Sequence, residues 1–236
     1  MRKLTDFSIY LIIFIAIVLI LFLAILAFSN DIVPQEVLDQ INQVTIKIFY
    51  SVEFQDIYHK NFMQISMGSA VFISNRRALT VMHIAANKYT GELFGYVSNG
   101  NKGKEKRVFK IVDFEAEDDL ALIETKPVNF QGAKLAQDAK FGEPIIFAGY
   151  NAIDLPKLRF GFLSENKDAL NPKFNGYLFH PVFYGDSGGG GFNIKGELVG
   201  IMRIYIFVKE EKINSNSFMG YMVPLEKIKA FLEGAK

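Results

Sequence analysis

"YGDSGGGGF", residues 184–192, sets an aspartate and a serine inside a run of five glycines. Such a stretch is either a flexible turn that happens to hold a serine or a backbone shaped to hold that serine for chemistry. The flanks separate the two. A solvated linker would have polar, unpatterned neighbours, whereas here "YLFHPVF" (177–183) and "GFNIKGELVGI" (191–201) are both strand-like. Glycines set between strands mark a tight turn that another backbone approaches closely.

Outward from that turn the chain alternates with period two. "VTIKIFY" (44–50), "SAVFIS" (69–74), "ALTVMHI" (78–84), "RVFKIVDF" (107–114) and "DLALIET" (119–125) fill the first half. "PIIFAGY" (144–150), "LRFGFLS" (158–164), "NGYLFHPVF" (175–183), "ELVGIMRIYIFV" (197–208) and "FMGYMVP" (218–224) fill the second. Short β-rich runs broken by Gly, Asn, Asp and Lys turns predict an all-β sandwich or barrel. Only "PLEKIKAFLEGAK" (224–236) reads as helix, with Pro224 at its start and Leu225, Ile228 and Leu232 on one face. Residues 126–140 read as a connection between two β halves of similar size, with no quotable internal repeat. The basic loop "NGNKGKEKR" (99–107) reads as a solvated hairpin turn.

At 236 residues the chain has room for an ample core, and half of it is apolar, with 23 phenylalanines. A formal net charge of +1 gives no footprint for nucleic acid. Cysteine is absent, which excludes disulfides and a thiolate nucleophile. No metal-ligand spacing, phosphate-cradling loop, or flavin or nicotinamide fingerprint is present, so neither cofactor nor metal is expected.

From Ile9 to Phe28 there are twenty residues without a charge, enough to span the roughly 30 Å hydrocarbon core of a bilayer. Arg2 and Lys3 precede the run, and Asp31, Glu36 and Asp39 follow it. The positive-inside bias predicts a single-pass membrane protein, N-terminus cytoplasmic, with everything after Ser29 periplasmic or extracellular. A cleaved signal peptide is the competing reading, but the run exceeds the roughly 7–15 residues of a signal core. The expected organisation is a cytoplasmic N-terminus and anchor (1–28), a linker (29–40) and a folded domain (41–236).

A serine hydroxyl is a poor nucleophile unless an oriented base takes its proton. Of the three histidines, His59 has polar neighbours and reads as surface. His180 is close to Ser187 in sequence, but Pro181 interrupts its strand, so it reads as pocket lining. His83, in "RRALTVMHIAA", ends an apolar strand and is either a satisfied core residue or the base. For the acid, "AEDDLALIE" offers Asp118 and Asp119, with Asp119 opening a strand on the face of Ala121 and Ile123 and Asp118 pointing the other way as a solvated turn residue.

"LTVMHIAA", "DLALIE" and "GDSGGGGF", in the order His, Asp, Ser, resemble the trypsin-like (chymotrypsin-fold) serine proteases, most closely the compact, disulfide-free HtrA-type bacterial members. "MGSAVFIS", "FGEPIIFAGY", "GFLSEN", "GELVGI" and "MGYMVPLEKI" extend the resemblance over about residues 44–232. It implies two antiparallel β-barrels, about 41–126 and 138–236, with a C-terminal helix and an active site between them. It implies Ser187 as nucleophile, His83 as general base and acid, and Asp119 as the orienting carboxylate. The Gly185 and Ser187 N–H groups would form the oxyanion hole, and a protein or peptide would be the substrate.

The pattern is broken in three places. Asp186 stands where HtrA-type members usually carry asparagine; cleavage-activated trypsins pair that acid with a new N-terminal amine. No activation site is evident here, so Asp186 is expected to pair with another cation or accept backbone N–H bonds. The pocket floor falls at Pro181, with no acid there to favour Arg or Lys substrates; Arg203 either contacts Asp119 or reaches into the pocket, and Tyr205 narrows it. An apolar or small substrate side chain is expected, with an acidic or polar one met by Arg203 or His180 as the alternative. No PDZ-type extension is expected after the closing helix. The alternative to a protease is a non-catalytic binding or scaffold protein on the same fold, with its cleft closed by Arg203 and Tyr205.

Overall fold

The computed structural model describes residues 33–55, 61–86, 91–98, 103–151, 157–166, 176–179, 182–209 and 216–235. Residues Met1–Gln35 and Glu36–Lys236 are separate units. The apolar run at 9–28 lies outside the described residues, and no helix among those described is long and apolar enough to cross a membrane. His59, His180 and Pro181 also lie outside them.

Two seven-stranded antiparallel sheets follow one another along the chain. The first holds β1 (Thr45–Gln55), β2 (Asn61–Phe72), β3 (Arg77–Val81), β4 (Glu92–Ser98), β5 (Lys104–Val108), β6 (Lys110–Glu115) and β7 (Leu120–Glu124). Its strand order is β5-β4-β1-β2-β3-β7-β6. The second holds β8 (Pro144–Ala148), β9 (Leu158–Phe162), β10 (Ser164–Asn166), β11 (Gly176–Phe179), β12 (Gly190–Phe192), β13 (Leu198–Lys209) and β14 (Asn216–Pro224), in the order β10-β11-β14-β13-β12-β8-β9.

Both orders begin and end on consecutive strands parted by a single residue. Phe109 stands between β5 and β6, and Leu163 between β9 and β10. Each is buried, Phe109 at 4% and Leu163 at 1% exposure. One bent strand therefore supplies both edges of each sheet, and the bend is anchored by the side chain at the break. The edges are thereby supplied by short strands, which limits the aggregation hazard of an open antiparallel sheet.

Each sheet has its own core. In the first, Phe72 is fully buried, its ring 5.3 Å from that of Phe130 and 6.1 Å from that of Phe109. Such pairs add about 0.5–1.5 kcal/mol beyond their burial. In the second, Ile145, Phe147, Leu163, Val199, Met202, Met222 and Leu225 form one cluster. The chain between the sheets, 125–143, is irregular apart from one parallel bridge, Leu135 to Leu198.

Helices are three rather than one among the described residues: α1 (Gln35–Val44), α2 (Met82–Ala85) and α3 (Leu225–Gly234). α1 overlaps the stretch expected to be a linker. Val37, Ile41 and Val44 recur at helical spacing, and Ile41 and Val44 are buried at 0% and 1% exposure. Lys157, at the entry to β9, donates to the carbonyls of Asn42 and Thr45 and so ties the end of α1 to the second sheet. Burial, helped by the nearby Lys104 charge, lowers the Lys157 pKa from its ordinary 10.5 to about 7.

Candidate active site

β3 ends at Val81 and the chain turns at once into α2, so His83 sits on a helical turn and not at the end of a strand. Asp119 likewise does not open β7, which starts at Leu120. It closes the preceding turn with φ +55°, a left-handed conformation that aspartate tolerates better than most residues. That conformation aims three groups at α2. The Asp119 carbonyl accepts the Met82 N–H at 2.9 Å, and Oδ1 accepts the His83 N–H at 2.9 Å. Oδ2 lies 2.6 Å from His83 Nδ1. An ionised carboxylate only accepts, so the proton of a neutral ring belongs on Nδ1 and Nε2 is left as the free lone pair. Asp119 is buried at 8% exposure, whereas the His83 side chain is 41% exposed.

The serine loop is held from both sheets. The Ser187 carbonyl accepts the Ser69 N–H of β2 at 2.7 Å, and the Gly188 N–H donates to the Met202 carbonyl of β13 at 2.8 Å. At Gly188 φ is +84°, and a Cβ there would lie 2.0 Å from the Ser69 carbonyl oxygen and 2.4 Å from Thr80 Oγ1. Only glycine fits so close an approach. A Cβ placed on Gly68 would lie 2.9 Å from Ile84 Cγ2 and 3.0 Å from the Ser187 carbonyl oxygen. The neighbour of His83 and the backbone of Ser187 thus converge on the same point of β2.

Within the loop, the Asp186 N–H donates to the Phe183 carbonyl at 3.0 Å and the Gly189 N–H to the Asp186 carbonyl at 2.8 Å. Among the described residues no acceptor takes the Gly185 or Ser187 N–H. Gly185 itself stands at φ +95°.

Asp186 has both kinds of partner that its sequence position calls for. Arg159 Nη2 donates to Oδ1 at 2.6 Å, and the Phe183 N–H donates to Oδ2 at 2.7 Å. The pair is buried, with side-chain exposures of 11% for Arg159 and 1% for Asp186. The guanidinium lies 4.7 Å from the Phe147 ring centre and 5.6 Å from that of Phe183, contacts that suit a weakly hydrated planar cation. Burial pushes the Asp186 carboxyl pKa up, opposed by Arg159 and the Phe183 amide.

The other pocket candidates are placed as follows. Arg203, on β13, donates to the Glu117 carbonyl at 2.5 Å and lies 4.0 Å from the Asp118 carboxylate, which Lys227 of α3 also meets at 3.1 Å. Arg203 of the second sheet and Lys227 of α3 thereby grip the turn that carries Asp119, and Asp118 is their anchor and not a solvated residue. The side chain of Tyr205 lies outside the described residues, as do His180 and Pro181. Among the described residues no group of three or more His, Asp or Glu side chains gathers as a metal site.

Two residues at the site escape a reading by motif. Ser69 was visible only as part of a small-residue strand, and Arg159 only as the one charge in "LRFGF".

Two antiparallel sheets in succession, with a closing helix, a glycine-rich loop carrying Ser187 and a carboxylate bonded to His83, have the chymotrypsin-like architecture. The chain belongs to the trypsin-like peptidase domain family, whose profile it matches over residues 68–201, and by that membership it is a serine endopeptidase. No match was found among curated proteins.

Solved structures of HtrA-type proteases share the fold. A variant of AlgW bound to a decapeptide has TM-score 0.66 and 15% identity, covering 85% of this chain and 67% of its own. AlgW with a tripeptide has TM-score 0.63 and 20% identity, covering 84% and 60%. The serine endoprotease from Yersinia pestis has TM-score 0.61 and 16% identity, covering 84% and 65%. The chain thus spans from 60% to 67% of the length of these three.

Proposed function

We propose that this chain is a membrane-anchored endopeptidase that cleaves peptide bonds through an acyl-enzyme, with Ser187, His83 and Asp119 as its triad. The observation that carries the reading is the double grip of Asp119 on His83, at 2.9 Å to the amide and 2.6 Å to Nδ1. That grip leaves Nε2 to take the proton of the Ser187 hydroxyl as its oxygen attacks the substrate carbonyl. The imidazolium formed is stabilised by Asp119 and then protonates the leaving amine; water repeats the sequence to release the acid. The free N–H groups of Gly185 and Ser187 supply the donors for the oxyanion. Both sheets are read as curled barrels, closed through Phe109 and Leu163, with the triad in the cleft between them.

Asp119→Asn is expected to lower kcat by about 10⁴-fold while the protein stays folded, because the amide favours the wrong imidazole tautomer. Steady-state hydrolysis of a peptide library, with circular dichroism as the folding control, measures it. A variant within tenfold of wild type would remove Asp119 from the mechanism.

The peptide complexes of AlgW support a protein or peptide substrate. The uncharged run Ile9–Phe28 supports the anchor, with the N-terminus cytoplasmic and the peptidase outside. After expression in bacteria the full chain is expected to stay with the membrane pellet in alkaline carbonate. Recovery in the supernatant would contradict the anchor.

A further inference from the structure

Every polar group of Ser69 is engaged, and the residue is fully buried. Its N–H donates to the Ser187 carbonyl at 2.7 Å, and its carbonyl accepts Thr80 Oγ1 at 2.7 Å. Its hydroxyl donates to the Gly185 carbonyl at 2.8 Å and accepts the Tyr150 N–H at 2.8 Å. A hydroxyl has one proton to give, and the Tyr150 amide, being only a donor, obliges that proton to point at Gly185. One side chain of the first sheet therefore joins the segment after β8 to the loop that presents the free Gly185 and Ser187 amides.

This joint sits where the backbone most needs holding. Glycine at φ +95° has other conformations open to it at little cost, so residue type alone does not keep the Gly185 N–H aimed at the cleft. Packing supplies part of the restraint, since a Cβ on Gly185 would lie 2.4 Å from the Tyr150 carbonyl oxygen and 2.8 Å from Met67 Cε. The Ser69 hydroxyl supplies the directional part, fixing the plane of the peptide that follows Gly185 relative to the Tyr150 segment. Donors worth their full effect must be aimed before charge develops on the substrate oxygen.

We propose that Ser69 is a positioning residue for the oxyanion hole: its buried hydroxyl, clamped by the Tyr150 amide, holds Gly185 in the conformation that presents its N–H to the substrate. The inference rests on the peptidase reading given above. It assigns Ser69 a part in kcat without contact to the substrate.

Removing the hydroxyl leaves both the Gly185 carbonyl and the Tyr150 N–H without that partner. Because Ser69 acts through a donor and is not one, its loss is expected to cost less than the roughly 10²–10³-fold of deleting a donor outright. Ser69→Ala should lower kcat by about 10- to 100-fold with KM within about threefold. The affinity of a peptide boronate, which mimics the tetrahedral intermediate, should fall by a similar factor. Ser69→Cys keeps a weak donor and similar size, so it should fall between wild type and Ser69→Ala. It also serves if Ser69→Ala does not fold.

Thr125→Val is the control for lost stability. It removes a hydroxyl bond of 2.8 Å, to the Val108 carbonyl, from a residue buried at 7% exposure and away from the serine loop. It should lower the melting temperature while leaving kcat and boronate affinity near wild type. Equal kcat and boronate affinity in wild type and Ser69→Ala would overturn the proposal, and so would a loss matched by Thr125→Val. A wild type that does not react with a fluorophosphonate overturns the peptidase reading and this inference together. A reactive wild type with an unaltered Ser69→Ala overturns this inference alone.

Discussion

Replacing Arg159 with methionine is expected to cost about 3–5 kcal/mol of folding stability, because it strands the Asp186 carboxylate in the interior. Asp186 is 1% exposed, and its one other defined partner is the Phe183 N–H at 2.7 Å. One amide does not replace a guanidinium at 2.6 Å. Activity should fall with stability, since Asp186 lies between Gly185 and Ser187 and its displacement moves both free amides. Asp186→Asn in the Arg159→Met background should recover most of the loss. Asparagine keeps an acceptor for Phe183 and carries no charge. Urea denaturation of the two variants and the parent decides the matter. If Arg159→Met lies within about 1 kcal/mol of wild type, the buried pair is not what holds this loop.

The pair also explains how an acid is tolerated in the interior beside Ser187. In cleavage-activated relatives the cation arrives from outside the loop after processing. Here it comes from β9, within the same sheet, so the acid has its partner as soon as the second sheet forms.

β9 shows why this escaped the sequence reading. "LRFGF" invites the phenylalanines inward and the arginine out, the ordinary alternation of a half-buried strand. The register is the reverse: Phe160 and Phe162 are 62% and 68% exposed, and Arg159 is turned inward to Asp186. A buried acid far along the chain outweighed two aromatic side chains, and local patterning carries no trace of such a demand.

Other differences have similarly local causes. "RVFKIVDF" and "LRFGFLS" read as single strands, and each is a strand bent once, at Phe109 and Leu163. The bends recur in both sheets, yet the two segments share too little sequence for a repeat to be legible. β4 was missed because "GELFGYVSNG" is punctuated by glycine, although Leu93 and Val97 are buried on one face. Asp119 was placed on a strand; its left-handed turn is what lets one carboxylate reach both the amide and the ring of His83.

The three motifs were legible for the opposite reason. Glycines 185 and 188 and the segment around His83 meet requirements of chemistry and close approach that few sequences satisfy. The strand-rich character was equally plain, because period-two runs survive almost everywhere else. Arg203, read either as a partner of Asp119 or as pocket lining, holds the turn that carries Asp119 through Glu117 and Asp118. What decides substrate preference was not legible.

Ser187→Ala carries the largest expected effect on activity. A triad acts as a unit, so loss of the nucleophile should lower kcat by about 10⁶-fold, leaving only the residual acceleration of binding and the oxyanion donors. Fold and stability should change little, because the restraints on this loop run through backbone groups of Ser187 and Gly188 and through Asp186. The most direct measurement is the reaction of the purified full chain with a fluorophosphonate, followed by mass spectrometry of the digested protein. The account predicts one adduct, on Ser187, absent from Ser187→Ala and strongly slowed in His83→Ala. A correctly folded wild type that takes up no label at Ser187 would contradict it and would favour a binding or scaffold role for the same fold.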